Sequence, residues 1–416
     1  MEQFTGSPFA NDLLERIRQK GLDGKIYSDI TDSDGNQYVD LVQEGGGVLG
    51  IALAGYTWVL EQCGIRFFSL AGTSAGAINT MLIAALAPAG QPVSEKIISL
   101  MAGKDFFDFV DGSRPVRRLI GRYTRDKPYF KLHVFLNAFR IWRTLRRFLG
   151  LNPGDEFEMW LSGILEEAGI RTLADLIQLR EKVPDLLDRS EKFAAISRIP
   201  GLQIITSELT TKSKIVFPAM AELYWDDPLS VNPAKLVRAS MSIPYFFYPF
   251  SVGEVPGSGK EESDRDAEIA EKWRKHAGYR GDIPGKVHFI DGGLLSNFPI
   301  NAFHIKDGVP KKPTFGVKLS AWRSSYSVIR NPGSMTAAMI ATMRQLHDYD
   351  FLLKNPDYNS LICYIDADEK FNWLDFSMEP EKQVSLFQQG AEKALAFLDK
   401  FNWQQYKKLR GSVKSI

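Results

Sequence analysis

Ser74 lies at the centre of a short glycine-bounded motif whose residue types fit nucleophilic catalysis. The segment Gly72-Thr73-Ser74-Ala75-Gly76 matches the G-x-S-x-G pattern of a nucleophile elbow. Glycines on both sides permit a sharp strand-to-helix turn, which lifts the serine hydroxyl above the edge of a sheet. We therefore predict Ser74 as a catalytic nucleophile, with Gly72 and Gly76 supporting its turn.

Asp291 begins a second motif, Asp291-Gly292-Gly293, which follows a short β-prone run. Open parallel sheets place ligands at the C-terminal ends of their strands, and two glycines keep that edge accessible. A carboxylate can take the serine proton directly where a pocket of low dielectric raises its basicity. We predict Asp291 as the base, with Gly292 and Gly293 as supporting residues. The alternative is a turn aspartate that caps the next segment.

A glycine loop, residues 45–50 (Gly-Gly-Gly-Val-Leu-Gly), supplies the third motif. It fits the dinucleotide-binding pattern G-x-G-x-x-G. A dinucleotide site also requires a carboxylate at the end of the second strand to bind the ribose, and residues 71–74 contain none. Amides of a glycine loop at a helix N-terminus also bind anionic oxygen. The loop therefore predicts an oxyanion hole rather than a nucleotide site. Its predicted donors are Gly45, Gly46, Gly47 and Val48, with Gly50 as a supporting residue.

Histidine is the usual base for a serine nucleophile, so the five histidines define an alternative. None lies in a recognisable motif. His304 and His347 follow Asp291, which gives the chain order Ser, Asp, His of α/β-hydrolases. A Ser-Asp-His esterase with His304 or His347 as base therefore remains open.

Alternating short apolar runs and helical patterns position these motifs. Strands are predicted at 38–43 and 66–71, each followed by a glycine motif and then a helix, at 50–61 and 75–86. This βαβα order is typical of a parallel sheet. Further strands are predicted at 202–206, 214–217, 287–290, 314–319 and 361–365, with a closing helix at 379–401. The predicted fold class is α/β, with a three-layer α/β/α architecture, a mostly parallel central sheet and a helical insertion.

The same patterns predict one catalytic domain with additions at both ends. Residues 1–37 form an N-terminal extension, and residues 38–320 form the catalytic domain. Within that domain lie a helical insertion at about 104–200 and a charged loop at 251–286, which is a lid, a partner surface or simply a long loop. Residues 321–416 are a helical remainder packed on the same domain.

Composition narrows the classes of function. The net charge of +1 provides no global attraction for nucleic acid, so we expect no nucleic-acid partner. The two cysteines, Cys63 and Cys363, indicate neither a disulfide framework nor a metal site. The N-terminus lacks a signal-peptide pattern, and the apolar stretches are shorter than the ~18 residues of a membrane span. We expect a cytoplasmic protein that meets a membrane only at its surface, while export by a signal-less route stays open.

Residues 131–151 alternate apolar and arginine residues at helical spacing. Such a helix can lie in the headgroup layer of an anionic membrane. The alternative is an amphipathic helix that covers the protein's own core, which is the commoner use of this pattern.

Together, the three motifs resemble those of the patatin-like phospholipase family. Residues 237–247 (Val-Arg-Ala-Ser-Met-Ser-Ile-Pro-Tyr-Phe-Phe), Asn297 and Pro299 extend the resemblance. It implies a Ser–Asp dyad on a modified α/β-hydrolase fold, a lipid ester substrate and no metal or organic cofactor. The implied activity is that of a phospholipase A or lysophospholipase. One departure is Leu49, which stands where the family often has Arg or Lys, so oxyanion stabilisation is expected to rest on backbone donors.

Two further classes of function share these features. A transacylase would use the same site but transfer the acyl group to another alcohol. A non-catalytic lipid-binding scaffold would need neither Ser74 nor Asp291, and the presence of both residues argues against it.

Overall fold

The computed structural model describes residues 1–124, 130–191, 194–196, 199–259, 267–320 and 326–412. The strands are β1 (Ile30–Thr31), β2 (Gln37–Gln43), β3 (Ile65–Thr73), β4 (Gly150–Asn152), β5 (Leu186–Asp188), β6 (Ala194–Ile196), β7 (Leu202–Glu208), β8 (Ser213–Phe217), β9 (Tyr245–Phe247), β10 (Phe250–Gly253), β11 (Lys286–Asp291), β12 (Thr314–Lys318) and β13 (Ile362–Tyr364). The α-helices are α1 (Pro8–Gln19), α2 (Ile51–Gln62), α3 (Ala75–Leu86), α4 (Ser94–Ala102), α5 (Arg114–Thr124), α6 (Phe130–Phe148), α7 (Asp155–Glu167), α8 (Leu173–Arg180), α9 (Ala234–Ser240), α10 (Ala267–Ala277), α11 (Pro332–Lys354), α12 (Pro380–Lys400) and α13 (Trp403–Ser412).

The centre of the main sheet is parallel. Strands β13, β12, β2, β3 and β7 lie side by side in that order, and each neighbouring pair is parallel. Antiparallel strands extend this centre: β8, β10 and β11 beyond β7, and β1, β5 and β6 from β2. The predicted parallel core is confirmed, and the sheet as a whole is mixed.

Both faces of the central strands are covered. All residues of β2 and of β12 are buried, and successive side chains of a strand point to opposite faces. A strand that is buried along its whole length therefore needs a layer on each side. This burial confirms the predicted three-layer α/β/α architecture.

Helices α2 and α12 approach each other closely at two glycines. A Cβ on Gly390 would lie 1.9 Å from the carbonyl oxygen of Ala52, and a Cβ on Gly55 would lie 2.2 Å from that of Phe387. Contacts this short leave no room for any side chain at either position. The helix that follows the glycine loop is thus held directly by the backbone of the helix near the C-terminus.

Residues 1–37 are tied to the rest of the protein. In α1, Leu13 and Ile17 are buried, and Arg16 forms a bidentate ion pair with Glu392 of α12 at 2.6 and 2.8 Å. Bidentate pairing fixes the relative orientation of the two groups as well as their distance.

The insertion and the charged loop both contain helices. The 104–200 region holds α5 to α8, with three short strands that the sequence patterns do not predict: β4, β5 and β6. In the 251–286 region, α10 is anchored by Trp273, which is buried edge-on against Tyr224. No helix in the described ranges is both long enough and apolar enough to cross a membrane.

The α2–α12 contact yields a stability prediction. We expect Gly390→Ala to lower the free energy of unfolding by about 1–3 kcal/mol, because the helices must separate to admit the methyl group. Gly163→Ala is the matched control, since Gly163 is exposed on α7 and no atom outside its own helix backbone lies within 4 Å of its Cβ position. This control should gain roughly 0.5–1 kcal/mol from the better helix former. Urea unfolding of both variants measures the difference, and equal effects would contradict the close packing.

Candidate active site

The ends of β3 and β11 meet along one edge of β7. Strand β8 occupies the opposite edge. On the shared edge, β3 runs parallel to β7 and pairs with residues 202–205. Strand β11 runs antiparallel to β7 and pairs with residues 206–208. Their C-terminal ends therefore point toward each other, and Thr73 and Asp291 pair with two consecutive residues of β7. Asp291, predicted at the end of a parallel strand, instead ends an antiparallel strand that brings it to the same point.

Ser74 has the strained backbone of a sharp elbow. Its φ of +51° and ψ of −117° are unusual for a residue with a side chain, and α3 begins at the next residue. The flanking glycines are required sterically, since a Cβ on either Gly72 or Gly76 would lie 2.3 Å from a carbonyl oxygen. Strain of this kind persists only where surrounding structure holds it, and it concentrates at functional sites.

Ser240, the last residue of α9, holds this elbow in place. Its side-chain oxygen accepts a hydrogen bond from the Ser74 amide at 2.9 Å and donates one to the Ile205 carbonyl at 2.6 Å. Nearby, the carbonyl of Ser242 accepts the Asp291 amide at 2.9 Å. Residues 237–247, for which the sequence motifs predict no structural role, therefore position both strand ends.

Asp291 has the environment of a carboxyl that can act as a base. Burial raises its pKa above the ordinary aspartate value. The positive charge of Arg344 and hydrogen bonds from Ser74 and the Gly293 amide offset part of that rise in the pKa. The Gly293 amide lies 2.7 Å from Asp291 Oδ1. Ser74 and Asp291 are thus close enough for the serine side chain to lower the pKa of the carboxyl in part.

The glycine loop lies directly against this pair. A Cβ on Gly45 would lie 3.0 Å from the Ser74 Cβ. Two of the four predicted oxyanion donors are committed inside the protein: the Gly45 amide donates to Asn297 O at 3.0 Å, and the Val48 amide donates to Trp373 O at 3.1 Å. Within the described residues, the amides of Gly46 and Gly47 have no protein acceptor. These two amides remain as donors for a ligand oxygen.

Residues 296–298 connect the three motifs. The carbonyl of Ser296 accepts the Thr73 hydroxyl at 2.9 Å, which ties this segment to the nucleophile elbow. The Asn297 side chain donates to Gly45 O at 3.1 Å, which ties it to the glycine loop. From α11, Asp348 accepts the Phe298 amide at 2.8 Å and Arg344 donates to Asn297 Oδ1 at 3.0 Å.

Sequence reasoning missed both α11 residues. Arg344 and Asp348 belong to no short motif, and α11 itself was not predicted as a separate helix. Several apolar side chains of α11 face solvent, among them Met335, Met339 and Leu346, so the helix has no simple apolar stripe directed at the core. Such a pattern offers no sequence signal for the two polar residues that reach the site.

Two pockets of opposite character flank the glycine loop. The first contains Ser74 and is lined by Gly47, Val48 and apolar side chains that include Ile51, Ile78, Phe106, Phe109, Trp160 and Phe376. The second is lined by Gly45, Gly46 and polar side chains that include Glu44, Lys318, Ser320, Arg344 and Asp348. The loop therefore separates an apolar space from a polar one.

The histidine alternative receives no support from the contacts of His304. Its ring packs edge-on against Phe351, and its Nδ1 lies 2.9 Å from the Tyr358 hydroxyl. Its described contacts include neither Ser74 nor Asp291. The His347 side chain lies outside the described residues.

Helix α6 exposes part of the predicted amphipathic segment. Phe139 is 70% exposed and Trp142 is 53% exposed, while the guanidinium of Arg146 lies over the Trp142 ring at 5.2 Å. Arg140, Arg143 and Arg147 are also exposed. Large aromatic side chains that remain in solvent beside arginines do not cover the protein's own core. The side chains of Leu132 and Phe135, predicted for the same apolar face, lie outside the described residues.

Comparisons with known proteins show which family model and which proteins this chain resembles. The family model for patatin-like phospholipases matches residues 41–304. The Bacillus subtilis (strain 168) protein YqhO is 30% identical over 368 residues, which cover 88% of this chain and 100% of YqhO. Among solved structures, VipD from Legionella pneumophila aligns with 90% of this chain and 71% of its own, at 17% identity and a TM-score of 0.42. ExoU of Pseudomonas aeruginosa, solved in complex with SpcU, aligns with 86% and 53%, at 17% identity and a TM-score of 0.29.

Proposed function

The chain belongs to the patatin-like phospholipase family, and on this premise we propose that it is a lipid acyl hydrolase that uses Ser74 and Asp291. One observation carries the proposal. Ser74 follows the end of one strand and Asp291 ends another at the point where the two strands meet; burial raises the pKa of the Asp291 carboxyl, and Ser74 lowers it in part. Nucleophile and base side chains that lie near each other are the arrangement that covalent catalysis requires.

In the first half of the proposed cycle, Asp291 accepts the proton of Ser74 Oγ as this oxygen attacks the ester carbonyl carbon. The carbonyl electron pair moves to oxygen, and the resulting oxyanion accepts hydrogen bonds from the amides of Gly46 and Gly47. Loss of one such donor typically raises the barrier by about 3 kcal/mol. The bond to the alcohol oxygen then breaks, and Asp291 returns its proton to the departing alcohol.

In the second half, water replaces the alcohol. Asp291 takes a proton from this water, whose oxygen attacks the acyl-enzyme carbonyl. The same two amides hold the second oxyanion. The bond to Ser74 Oγ breaks, Asp291 returns the proton to Ser74, and the fatty acid leaves. The apolar pocket beside Ser74 suits the acyl chain in both halves.

Loss of either proposed catalytic side chain should abolish fatty-acid release. We expect Ser74→Ala and Asp291→Asn each to lower turnover by about 10⁴-fold or more, since nucleophile and base act as one unit. A panel of phospholipids, lysophospholipids and acylglycerols, with fatty acids quantified by mass spectrometry, measures this effect. His304→Ala is the control and should retain wild-type turnover. Turnover that survives in Asp291→Asn but not in His304→Ala would overturn the dyad.

The buried carboxyl also predicts a pH dependence. Because Asp291 must be deprotonated to act as base, kcat/KM should fall as the pH drops through its pKa. Burial raises that pKa, so the acid limb should have its midpoint above the ordinary aspartate value of 3.8. Kinetics on a soluble ester across the acid range test this, with circular dichroism at each pH to exclude unfolding. An acid limb that disappears in His304→Ala would identify a histidine base instead.

We further propose that α6 contacts the membrane surface that carries the substrate. Exposed aromatic side chains beside arginines are the composition of an interfacial helix on anionic lipid. Burial of one phenylalanine side chain contributes roughly 1.5–3 kcal/mol, so a single exposed aromatic affects partitioning measurably.

The matched pair Phe139→Ser and Ile199→Ser tests this surface. Ile199 is 72% exposed, close to the 70% of Phe139, and it precedes β7 at the opposite end of the strands from Ser74. We expect Phe139→Ser to weaken binding to phosphatidylserine-containing vesicles by about 10- to 100-fold, and Ile199→Ser to bind like wild type. Vesicle cosedimentation measures both, and equal binding by the two variants would argue against α6.

A further inference from the structure

Helix α11 lies outside the segment that the family model matches, yet it reaches the centre of the site. The segment matched by the family model ends at residue 304, whereas α11 spans Pro332–Lys354. Asp348 is buried and accepts hydrogen bonds from Ser296 Oγ at 3.2 Å and from the Phe298 amide at 2.8 Å. This carboxylate anchors the helix on the segment that joins the three motifs. One turn earlier, the same helix directs Arg344 toward the polar pocket.

Arg344 differs from the other cation of that pocket. Lys318 Nζ lies 2.7 Å from Glu44 Oε1, and the charge of that lysine is therefore neutralised. The half-buried Arg344 guanidinium donates to Asn297 Oδ1 and lies 5.7 Å from the centre of the Trp373 ring. Among the residues that the structure describes, no carboxylate lies within 4.0 Å of it. A guanidinium has five N–H donors in a planar fork, so most of its donors can serve a ligand.

Two of the carboxylates that line this pocket accept hydrogen bonds from protein donors. A third, Asp368, is exposed, and the charge of Arg344 also acts on Asp291 beside Ser74. Glu44 accepts the Leu319 amide at 2.7 Å and the Ser320 amide at 2.8 Å in addition to Lys318, and Lys318 helps to keep its pKa low. Asp348 accepts the two donors from residues 296–298. The polar pocket therefore presents one cation with unused donors, beside the Gly45–Gly46 turn. Leu49 lines the same pocket, so the loop itself supplies no positive charge there.

The two pockets match the two halves of a lipid ester. An ester carbonyl held at Ser74 has its acyl chain on one side and its alcohol on the other. The apolar pocket beside Ser74 suits the acyl chain, which leaves the alcohol to extend past the glycine turn toward the polar pocket. Planar guanidinium groups bind phosphate through two parallel hydrogen bonds.

We propose that Arg344 binds the phosphate of a phospholipid headgroup in the polar pocket, and so selects phospholipids over neutral acylglycerols. This inference rests on the proposed hydrolase function and names the substrate class for that site. Arg344 is then a specificity residue contributed by a helix outside the matched family segment.

Two esters with the same acyl group separate phosphate binding by Arg344 from the ester hydrolysis that both substrates share. Dihexanoylphosphatidylcholine, used below its critical micelle concentration, carries the phosphate, and 1-hexanoylglycerol lacks it. We expect Arg344→Ala to lower the ratio of the two kcat/KM values by about 10- to 100-fold, the loss of a charge-assisted hydrogen-bond pair. The ratio cancels any effect of Arg344 on Asp291, since both esters need the same base.

Lys354→Ala is the matched control, because it removes a positive charge from the same helix about 15 Å along its axis. The ratio for this control should equal that of wild type. The ratio for Arg344→Lys should fall between those of wild type and Arg344→Ala. An unchanged ratio in Arg344→Ala, including an equal loss on both esters, would overturn the proposal. An equally large fall in Lys354→Ala would also overturn it.

Binding to an inactive protein distinguishes failure of this inference from failure of the hydrolase function. Calorimetric titration of Ser74→Ala with dihexanoylphosphatidylcholine, with and without Arg344→Ala, needs no turnover. We expect the second substitution to weaken binding by about 10-fold or more. Equal affinities would contradict the phosphate site. Weaker binding together with no hydrolysis of either ester by wild type would contradict the hydrolase function and leave the phosphate site standing.

Discussion

The arrangement of the site depends on one edge of β7. Strands β3 and β11 pair with consecutive stretches of this edge, with their C-terminal ends facing each other. Strand β3 approaches from one direction and β11 from the other, and both stop at consecutive residues of β7. Backbone hydrogen bonds of a sheet fix strand register, and a shift of one residue would reverse the faces to which the side chains point. The Ser74–Asp291 contact is therefore set by backbone pairing, and the glycine loop and residues 296–298 fit around it.

Two buried carboxylates near this edge show how environment assigns different roles to one chemical group. Lys318, two backbone amides and a serine hydroxyl surround Glu44, and its pKa is lowered. Burial raises the pKa of Asp291. The charge of Arg344 and the hydrogen-bond donors of Asp291 lower that pKa only in part. Glu44 is thus a fixed anion that orders the loop, whereas Asp291 can gain and lose a proton. Pairs of acids with diverging pKa values commonly mark acid–base function.

Local sequence patterns predicted the elements that carry the chemistry. The strand predicted at 66–71 is observed as Ile65–Thr73, and the helix predicted at 75–86 is observed as Ala75–Leu86. The glycines made this turn recognisable from the sequence. A side chain on Gly72 would meet the backbone of Gly76 in the same turn, and a side chain on Gly76 would meet the backbone of Gln43 at the end of the adjacent strand. The fold class followed from the alternation of such elements.

Contacts between distant parts of the chain left no such signal. The antiparallel pairing of β11 with β7, the role of Ser240 and the approach of Arg344 all depend on residues far apart in sequence. The occupied amides of Gly45 and Val48 likewise follow from Asn297 and Trp373, which no local motif connects to the loop. Short motifs identify reactive groups, while the partners that position those groups come from the tertiary structure.

Covalent labelling with a fluorophosphonate examines the contact between the two strand ends without any lipid. Serine attack displaces fluoride and leaves a stable phosphonate, and this attack requires a hydroxyl activated by its base. The geometry predicts one phosphonate per chain, located on Ser74 by peptide mass spectrometry, with labelling of Asp291→Asn slowed by about 1,000-fold or more. Labelling at a different serine, or equal rates for wild type and Asp291→Asn, would show that these two side chains do not act as a pair.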